Sequence, residues 1–224
     1  MQHHSLGIFA KEPRPGQVKA RLASATSPQF AAKVADAFIR DTAARLAQVE
    51  AQRFLVYSPN EGKEYFAALA GKHYQLVPQE EGDLGRRMQN FLRSQLQGGA
   101  RRIVIVGADS PTLPHELIEQ AFQELDRADL VLGPASDGGY YLLGCAGQEI
   151  SPIFDNISWG SERVLWQSIS RLADPSLRLA LLPPWYDVDT VAVLWTLKGH
   201  IAALRRAGFE PHLPHTEQLL QDFS

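Results

Sequence analysis

The chain has 224 residues, of which 45% are apolar and 21% charged, a composition typical of a globular protein with a sizeable core. Its formal net charge of -3 argues against a general nucleic-acid-binding protein, because such proteins usually carry a basic surface. The first residues do not resemble a secretory signal, and no apolar run reaches the roughly 18–20 residues of a membrane span, so we expect no membrane partner.

Apolar runs alternate with helical patterns along the chain. The predicted strands cover residues 6–10, 54–57, 73–77, 103–106, 130–132, 140–143 and 179–182. The predicted helices cover residues 28–49, 61–70, 84–96, 116–125, 162–172 and 191–207, the first of them capped by Ser27. Such alternation is typical of an α/β fold with a mostly parallel central sheet.

Two features refine this prediction. The connection between strands 130–132 and 140–143 is too short for a parallel crossover, so strand 140–143 is expected to run antiparallel to its neighbours. Because no interior stretch has the composition of a linker, we expect one domain over residues 1–224. Residues 208–224 are polar and interrupted by proline, and could be a loosely docked tail.

The single cysteine, Cys145, excludes an internal disulfide. It lies in an apolar segment, where a small buried residue is a better interpretation than a reactive thiol. Together with the lack of a signal sequence, this favours the cytoplasm.

The loop after the first predicted strand is basic and contains Lys11, Arg14, Lys19 and Arg21. Ligands of open α/β sheets bind beyond the carboxyl ends of the strands, where this loop lies, and Gly16 allows the backbone to approach a ligand closely. Lysine and arginine side chains suit phosphate oxygens. A solvated surface loop is the alternative interpretation. The spacing differs from that of a Walker A loop, and no G-x-G-x-x-G is present.

Carboxylates follow other predicted strands. Asp109 comes after strand 103–106, where a buried acid requires a cation or hydrogen bonds, so we expect a metal ligand. Asp187 and Asp189 are two residues apart, and in an extended segment they project to the same side. One could bind metal while the other holds a loop. Alternatively, Asp189 or Thr190 only caps the following helix.

The segment 137–141 allows two interpretations of equal weight. Asp137 and Gly138 form a common turn pair, and Gly138 and Gly139 would also allow close approach of a substrate. Tyr140 could stack on a sugar or base, and Trp159 lies in a glycine–serine loop where it could be exposed.

In this order and spacing, the segments resemble the DUF2064 family of the GT-A (nucleotide-diphospho-sugar transferase) superfamily, some members of which are labelled arsenosugar biosynthesis glycosyltransferases. The segments that carry the resemblance are Phe9-Ala10-Lys11-Glu12-Pro13, Gly16 with Lys19 and Arg21-Leu22, Gly82-Asp83-Leu84-Gly85-Arg86-Arg87-Met88, Gly107-Ala108-Asp109-Ser110-Pro111, Gly133-Pro134-Ala135, Asp137-Gly138-Gly139-Tyr140-Tyr141 and Asp187-Val188-Asp189-Thr190. The resemblance implies a three-layer α/β/α sandwich with a mostly parallel mixed sheet.

The resemblance also implies roles for these residues. Asp109 and Asp189, with Asp187 as a further candidate, would hold Mg²⁺ or Mn²⁺. The expected substrate residues are Gly138, Gly139, Tyr140 and Trp159. The expected nucleotide- and phosphate-binding residues are Ala10, Lys11, Gly16, Lys19, Arg21, Gln79, Gly82, Asp83, Leu84 and Arg87, among which Gly82, Asp83 and Leu84 would cradle the base.

The resulting hypothesis is metal-dependent transfer of a sugar from a nucleotide-diphospho-sugar to a small-molecule acceptor, with Asp137 as the base if the configuration is inverted. The alternative is a nucleotidyltransferase that joins an NTP to a small phosphorylated substrate and releases pyrophosphate, since the chain also resembles enzymes that guanylylate phospholactate or the molybdenum cofactor. A third hypothesis is a catalytically silent nucleotide-sugar-binding protein. The sequence leaves the donor, base, acceptor and stereochemical outcome open, and a homodimer is compatible with it.

Overall fold

The computed structural model describes residues 3–148, 150–221 and 223. Its strands are β1 (His4–Lys11), β2 (Gln52–Ser58), β3 (Gln75–Pro78), β4 (Arg102–Gly107), β5 (Leu130–Pro134), β6 (Tyr140–Ala146) and β7 (Leu179–Leu181). Its helices are α1 (Ala20–Ala25), α2 (Pro28–Leu46), α3 (Lys63–Ala70), α4 (Leu84–Gln97), α5 (His115–Glu124), α6 (Val164–Ser170), α7 (Val191–Arg206) and α8 (Pro214–Gln221). Short 3-10 turns cover Asn60–Gly62 and Ser151–Phe154.

The strands form one mixed sheet in the order β3-β2-β1-β4-β6-β5-β7. Strand β6 runs antiparallel to β4 and β5, and the other neighbouring pairs are parallel. The short connection between β5 and β6 therefore joins two antiparallel strands, as predicted from the sequence. The carboxyl ends of β1, β4 and β5 and the start of β6 lie at one edge of the sheet.

Helices cover both faces of this sheet, which confirms the predicted three-layer α/β/α architecture. Strand β4 shows why both faces must be covered. Val104 and Val106 belong to the core cluster beneath α2, α3 and α5, whereas Ile103 and Ile105 belong to the cluster beneath α4 and α6. Successive side chains of a strand point to opposite faces, so four consecutive β-branched residues require a partner layer on each side.

The start of α2 also agrees with the sequence. The Ser27 hydroxyl accepts a hydrogen bond from the Phe30 N–H at 3.1 Å, and Pro28 occupies the first helical position. The helix ends at Leu46, three residues before the predicted end. The short helix α1 was not predicted from the sequence. None of the described helices combines the length and apolar character that a membrane crossing requires.

The structure differs from the expectation of a loosely docked C-terminal tail. Leu213 and Leu220 are almost completely buried in a cluster that contains side chains of α1, α2 and α7. The carboxylate of Asp41, buried on α2, accepts hydrogen bonds from the His215 and Thr216 N–H groups at the start of α8, at 3.2 and 2.7 Å. The tail is polar on average, but Leu213 and Leu220 pack into this cluster, and Asp41 caps the helix from 174 residues away along the chain.

Candidate active site

The predicted basic and acidic residues meet at the carboxyl edge of the sheet. Lys19 lies immediately before α1 and has an αL backbone conformation, with φ 46° and ψ 54°. From there its ammonium group donates to Asp109 Oδ1 at 2.6 Å, to the Val188 carbonyl oxygen at 2.8 Å and to Asp189 Oδ1 at 3.4 Å. One lysine therefore joins the loop after β1 to the loop after β4 and to the segment before α7.

The Lys19 side chain is only 3% exposed, and its nitrogen also lies 4.9 Å from the centre of the Phe38 ring. Burial by itself would lower the pKa of Lys19, but the Asp109 and Asp189 carboxylates outweigh it, and the pKa is raised. The ammonium is thus charged and already surrounded by acceptors. In this conformation Lys19 holds the two aspartates together, and it has little surface left for a ligand.

Arg21 makes the second link between the basic loop and the carboxylates. Its Nη2 lies 2.9 Å from Asp189 Oδ2 and 3.9 Å from Asp137 Oδ2. Unlike the buried lysine, its side chain is 58% exposed. Arg21 can therefore turn toward an incoming anion without leaving a buried carboxylate unpaired.

The two aspartates of segment 187–190 have different environments. Asp187 accepts a short hydrogen bond from the Ser110 hydroxyl, and burial, as the main cause, raises its pKa to about 7. Asp189 instead faces Lys19 and Arg21. Asp187 therefore holds the loop after β4, while Thr190 caps α7 by accepting a hydrogen bond from the Val193 N–H at 3.3 Å.

The chemistry of these side chains fits a hard divalent cation. The carboxylates of Asp109, Asp137, Asp187 and Asp189 share one edge of the sheet, and carboxylate oxygens are the protein ligands that Mg²⁺ and Mn²⁺ prefer. Among the described residues, no three acidic, histidine or cysteine side chains have the spacing of a metal site. Lys19 lies between Asp109 and Asp189, where it neutralises the charge that a metal ion would otherwise balance.

Two cavities adjoin the carboxylates. The first, which we call the lysine cavity, has a volume of about 320 Å³ and is lined by Ala10, Lys11, Lys19, Asp109 and Asp189, among others. The second, which we call the aromatic cavity, has a volume of about 270 Å³, and its lining includes Phe9, Leu84, Tyr140 and Trp159 together with Asp109, Asp137 and Asp187. Both cavities share Phe9 and Asp109.

The turn between β5 and β6 is at once a tight turn and part of the site. Asp137 Oδ1 accepts the Gly139 N–H at 3.0 Å, and both residues line the aromatic cavity. Gly138 has a φ of 92°, and a Cβ at this position would lie 2.1 Å from the Glu162 carbonyl oxygen. The turn thus approaches the loop before α6 so closely that only glycine fits.

Gly85 makes a similar close approach that was not predicted from the sequence. A Cβ at Gly85 would lie 2.5 Å from the Trp159 ring, which packs edge-on against Tyr140 with ring centres 6.4 Å apart. Glycine in the first turn of α4 therefore makes room for the tryptophan. The sequence carried one signal, a glycine inside a predicted helix, which often marks close packing.

The predicted residues of segment 79–87 bind mainly one another. Gln79 donates to the Val56 carbonyl oxygen and accepts from Arg87, and Arg87 also donates to the Gly82 carbonyl oxygen. Asp83 caps α4 by accepting the N–H of the third residue of the helix at 2.8 Å. These four residues line neither cavity. Gly16, with φ 77°, lies outside both cavities as well.

The fold is that of the nucleotide-diphospho-sugar transferase class. The chain belongs to DUF2064, described as a family of uncharacterized proteins conserved in bacteria, whose pattern it matches over residues 41–161. It is 30% identical to a Desulfovibrio desulfuricans G20 protein described as a candidate nucleotide-diphospho-sugar transferase, with a TM-score of 0.85 over 100% of this chain and 99% of that one.

More distant structures share the fold alone. The 4-diphosphocytidyl-2C-methyl-D-erythritol synthase of Anaerococcus prevotii DSM 20548 is 10% identical, with a TM-score of 0.61 over 90% of this chain and 96% of that one. A cytidylyltransferase of Leptospira borgpetersenii serovar Hardjo-bovis is also 10% identical, with a TM-score of 0.55 over 99% of this chain and 94% of that one. No curated protein matches the sequence.

Proposed function

We propose that this protein is a metal-dependent glycosyltransferase that moves a sugar from a nucleotide-diphospho-sugar to a small-molecule acceptor. The observation that carries the proposal is the direct contact of Lys19 and Arg21 with Asp109 and Asp189. This contact brings phosphate-binding and metal-binding chemistry to one point between two cavities. The likeness to the Desulfovibrio protein supports a donor that is a nucleotide sugar.

The donor site must bind a diphosphate and a metal ion, and different residues serve each purpose. Arg21 and Lys11, which are exposed, contact the diphosphate, and Lys19 fixes the positions of the acids. Asp109 and Asp189 hold Mg²⁺ or Mn²⁺, which when bound supplies the positive charge that stabilises the departing diphosphate. The half-buried Asp187 keeps the loop after β4 in place through Ser110.

Asp137 is the group that receives a proton from the acceptor if the reaction inverts configuration. Its Oδ1 is engaged by the Gly139 N–H, and its side chain is 35% exposed at the aromatic cavity. The acceptor oxygen forms a bond to the anomeric carbon, the bond from that carbon to the diphosphate oxygen breaks, and the proton of the acceptor hydroxyl passes to Asp137. The nucleoside diphosphate leaves with the bonding electrons.

Nucleotidyl transfer is the second candidate, and the shared fold with two cytidylyl-transferring enzymes favours it. In that reaction a substrate phosphate attacks the α-phosphorus of an NTP and pyrophosphate leaves. The two reactions differ in what is released. A panel of nucleotide sugars and NTPs, with and without Mn²⁺, is therefore assayed for nucleoside diphosphate and for pyrophosphate.

The decisive variant is Asp109→Asn, with Asp155→Asn as an exposed control of the same chemistry. We expect Asp109→Asn to lower kcat/KM by about 100-fold or more, the order seen when one electrostatic stabiliser of a transition state is removed. The control should retain wild-type activity. Turnover by Asp109→Asn with undiminished metal dependence would contradict the proposed role of this residue. Pyrophosphate release from NTPs, without nucleoside diphosphate from any sugar donor, would favour the second candidate.

A further inference from the structure

The aromatic cavity has an unusual charge for a site beside a phosphate-binding loop. Three acidic side chains line it, those of Asp109, Asp137 and Asp187. Among the described residues that form its lining, none is a lysine, an arginine or a histidine. Among the described residues that line the lysine cavity, Lys11 is the one exposed basic residue, and it does not line the aromatic cavity.

The two cations that contact these acids are already paired. The Lys19 side chain is 3% exposed and binds Asp109, and Arg21 extends to Asp189 and Asp137 from outside the cavity. The acids at this edge outnumber these two cations, and in the proposed function Arg21 binds the diphosphate of the donor. An anion that entered the aromatic cavity beside a bound donor would therefore meet like charges. A ligand binds much more weakly when its charge faces charges of the same sign in the site.

Most of the other residues that line the cavity are apolar or aromatic. Phe9, Met88 and Ile105 contribute side chains from β1, α4 and β4, and the rings of Tyr140 and Trp159 meet at 85°. A volume of about 270 Å³ corresponds to about nine water molecules at their share of the liquid, which suits one small molecule rather than a polymer. Aromatic faces combined with a few carboxylates suit a compound that carries hydroxyl groups on an apolar frame.

The aromatic cavity adjoins the lysine cavity, where the donor is proposed to bind. Because Phe9 and Asp109 line both cavities, a group in the aromatic cavity lies next to a diphosphate held by the lysine cavity. Of the residues assigned to the nucleotide, only Leu84 lines the aromatic cavity, whereas Gly139, Tyr140 and Trp159 of the substrate set do so.

We propose that the aromatic cavity selects the acceptor, and that this acceptor is an uncharged or cationic hydroxyl compound, such as a polyol, a sugar or an amino sugar. Phosphorylated and carboxylated relatives of the same compound are rejected. This inference rests on the proposed glycosyl transfer, because that reaction makes the compound in the aromatic cavity the acceptor. It also makes a phosphorylated second substrate, which nucleotidyl transfer requires, a poor fit to this cavity.

The test measures binding without turnover, so that it can fail independently of the proposed reaction. Saturation-transfer NMR is recorded on the intact chain with glucose, glucosamine, glucose 6-phosphate and gluconate, and with uridine and guanosine as nucleoside arms. Saturating inorganic pyrophosphate is present throughout, to compete with phosphate esters for the lysine cavity, which in the proposed function receives the diphosphate. Displacement of glucose by each compound gives its relative affinity.

Two matched variants locate the effect. Ser161→Lys adds an ammonium group at the lining of the aromatic cavity, and Ser170→Lys adds the same group on α6 outside that lining. In the wild type and in Ser170→Lys we expect glucose and glucosamine to bind at least about tenfold more tightly than glucose 6-phosphate and gluconate. Ser161→Lys should reduce this preference by about tenfold and should weaken glucosamine binding.

Three results would overturn the proposal. They are equal or tighter binding of glucose 6-phosphate by the wild type, a preference that Ser161→Lys leaves unchanged, and saturation transfer to the nucleosides alone. A failure of the proposed reaction is visible separately, as a lack of nucleotide-sugar turnover in protein that still distinguishes glucose from its phosphate.

Discussion

Replacing Lys19 by methionine removes the cation between Asp109 and Asp189 while keeping a side chain of similar length and apolar character. Breaking a buried ion pair by removing one partner costs about 3–5 kcal/mol, because the remaining charge has no compensation. Here Asp109 is 54% exposed and Asp189 retains Arg21, so water and Arg21 recover part of the loss. We therefore expect Lys19→Met to lower the free energy of unfolding by about 2–3 kcal/mol, below the range for fully buried pairs.

Urea denaturation followed by tryptophan fluorescence, with EDTA in the buffer, measures this loss. Lys63→Met, a substitution of an exposed lysine on α3, is the control and should change the free energy of unfolding by less than about 0.5 kcal/mol. A double-mutant cycle with Asp109→Asn should give a coupling energy of about 1–2 kcal/mol, because the two atoms are 2.6 Å apart. A loss under 0.5 kcal/mol for Lys19→Met, or additivity in the cycle, would refute the view that this lysine organises the acids.

Three further predictions concern other parts of the structure. Because the pKa of Asp187 is raised to about 7, the folded protein holds a proton at this carboxyl that the unfolded chain has lost, and this contribution to stability falls as pH rises from about 4 to 7. In urea titrations with EDTA, the free energy of unfolding of Asp187→Asn should therefore rise relative to that of the wild type by about 1.4 kcal/mol per pH unit across that window. Parallel plots of stability against pH for the two proteins would contradict this. Gly138→Ala should lower the free energy of unfolding by at least about 2 kcal/mol, because its Cβ would collide with Glu162. Gly147→Ala, at a glycine with a similar φ but open space around it, should lower it by only about 1 kcal/mol. Equal melting temperatures for the two variants would refute the collision. Asp41→Asn should leave the cap of α8 weaker by about 1–3 kcal/mol, seen as faster hydrogen exchange in α8 but not in α3, and unchanged exchange would show that the carboxylate is dispensable.

The local elements followed from the sequence wherever a periodic pattern was long. The β-branched run 103–106 and the helical patterns after Ser27 and Leu84 are strong enough to be recognised without tertiary information. The antiparallel β6 was also predictable, because a short connection cannot support a parallel crossover. The helices that the sequence did not predict, α1 and α8, have six and eight residues, and tertiary contacts rather than a long pattern stabilise them.

The ingredients of the site were visible in the sequence, since lysine, arginine and aspartate residues follow strands that end at one edge of the sheet. The sequence could not decide between Asp187 and Asp189, which are equivalent in spacing. Only the fold separates them, by pairing the half-buried Asp187 with Ser110 and by placing Asp189 beside Lys19 and Arg21. The pairing of Lys19 with Asp109 likewise joins residues 90 positions apart, and no local pattern encodes such a contact.

The sequence by itself determined the order of the strands and of the longer helices, and the kinds of side chain at their ends, because periodicity, turn residues and loop lengths are local properties. The tertiary structure alone decided which charges neutralise one another, which glycines face a neighbouring chain segment and which acids line a cavity without a cation. These outcomes depend on burial and on distances between segments remote in sequence, and the free energy of an ion pair changes severalfold with its exposure to water.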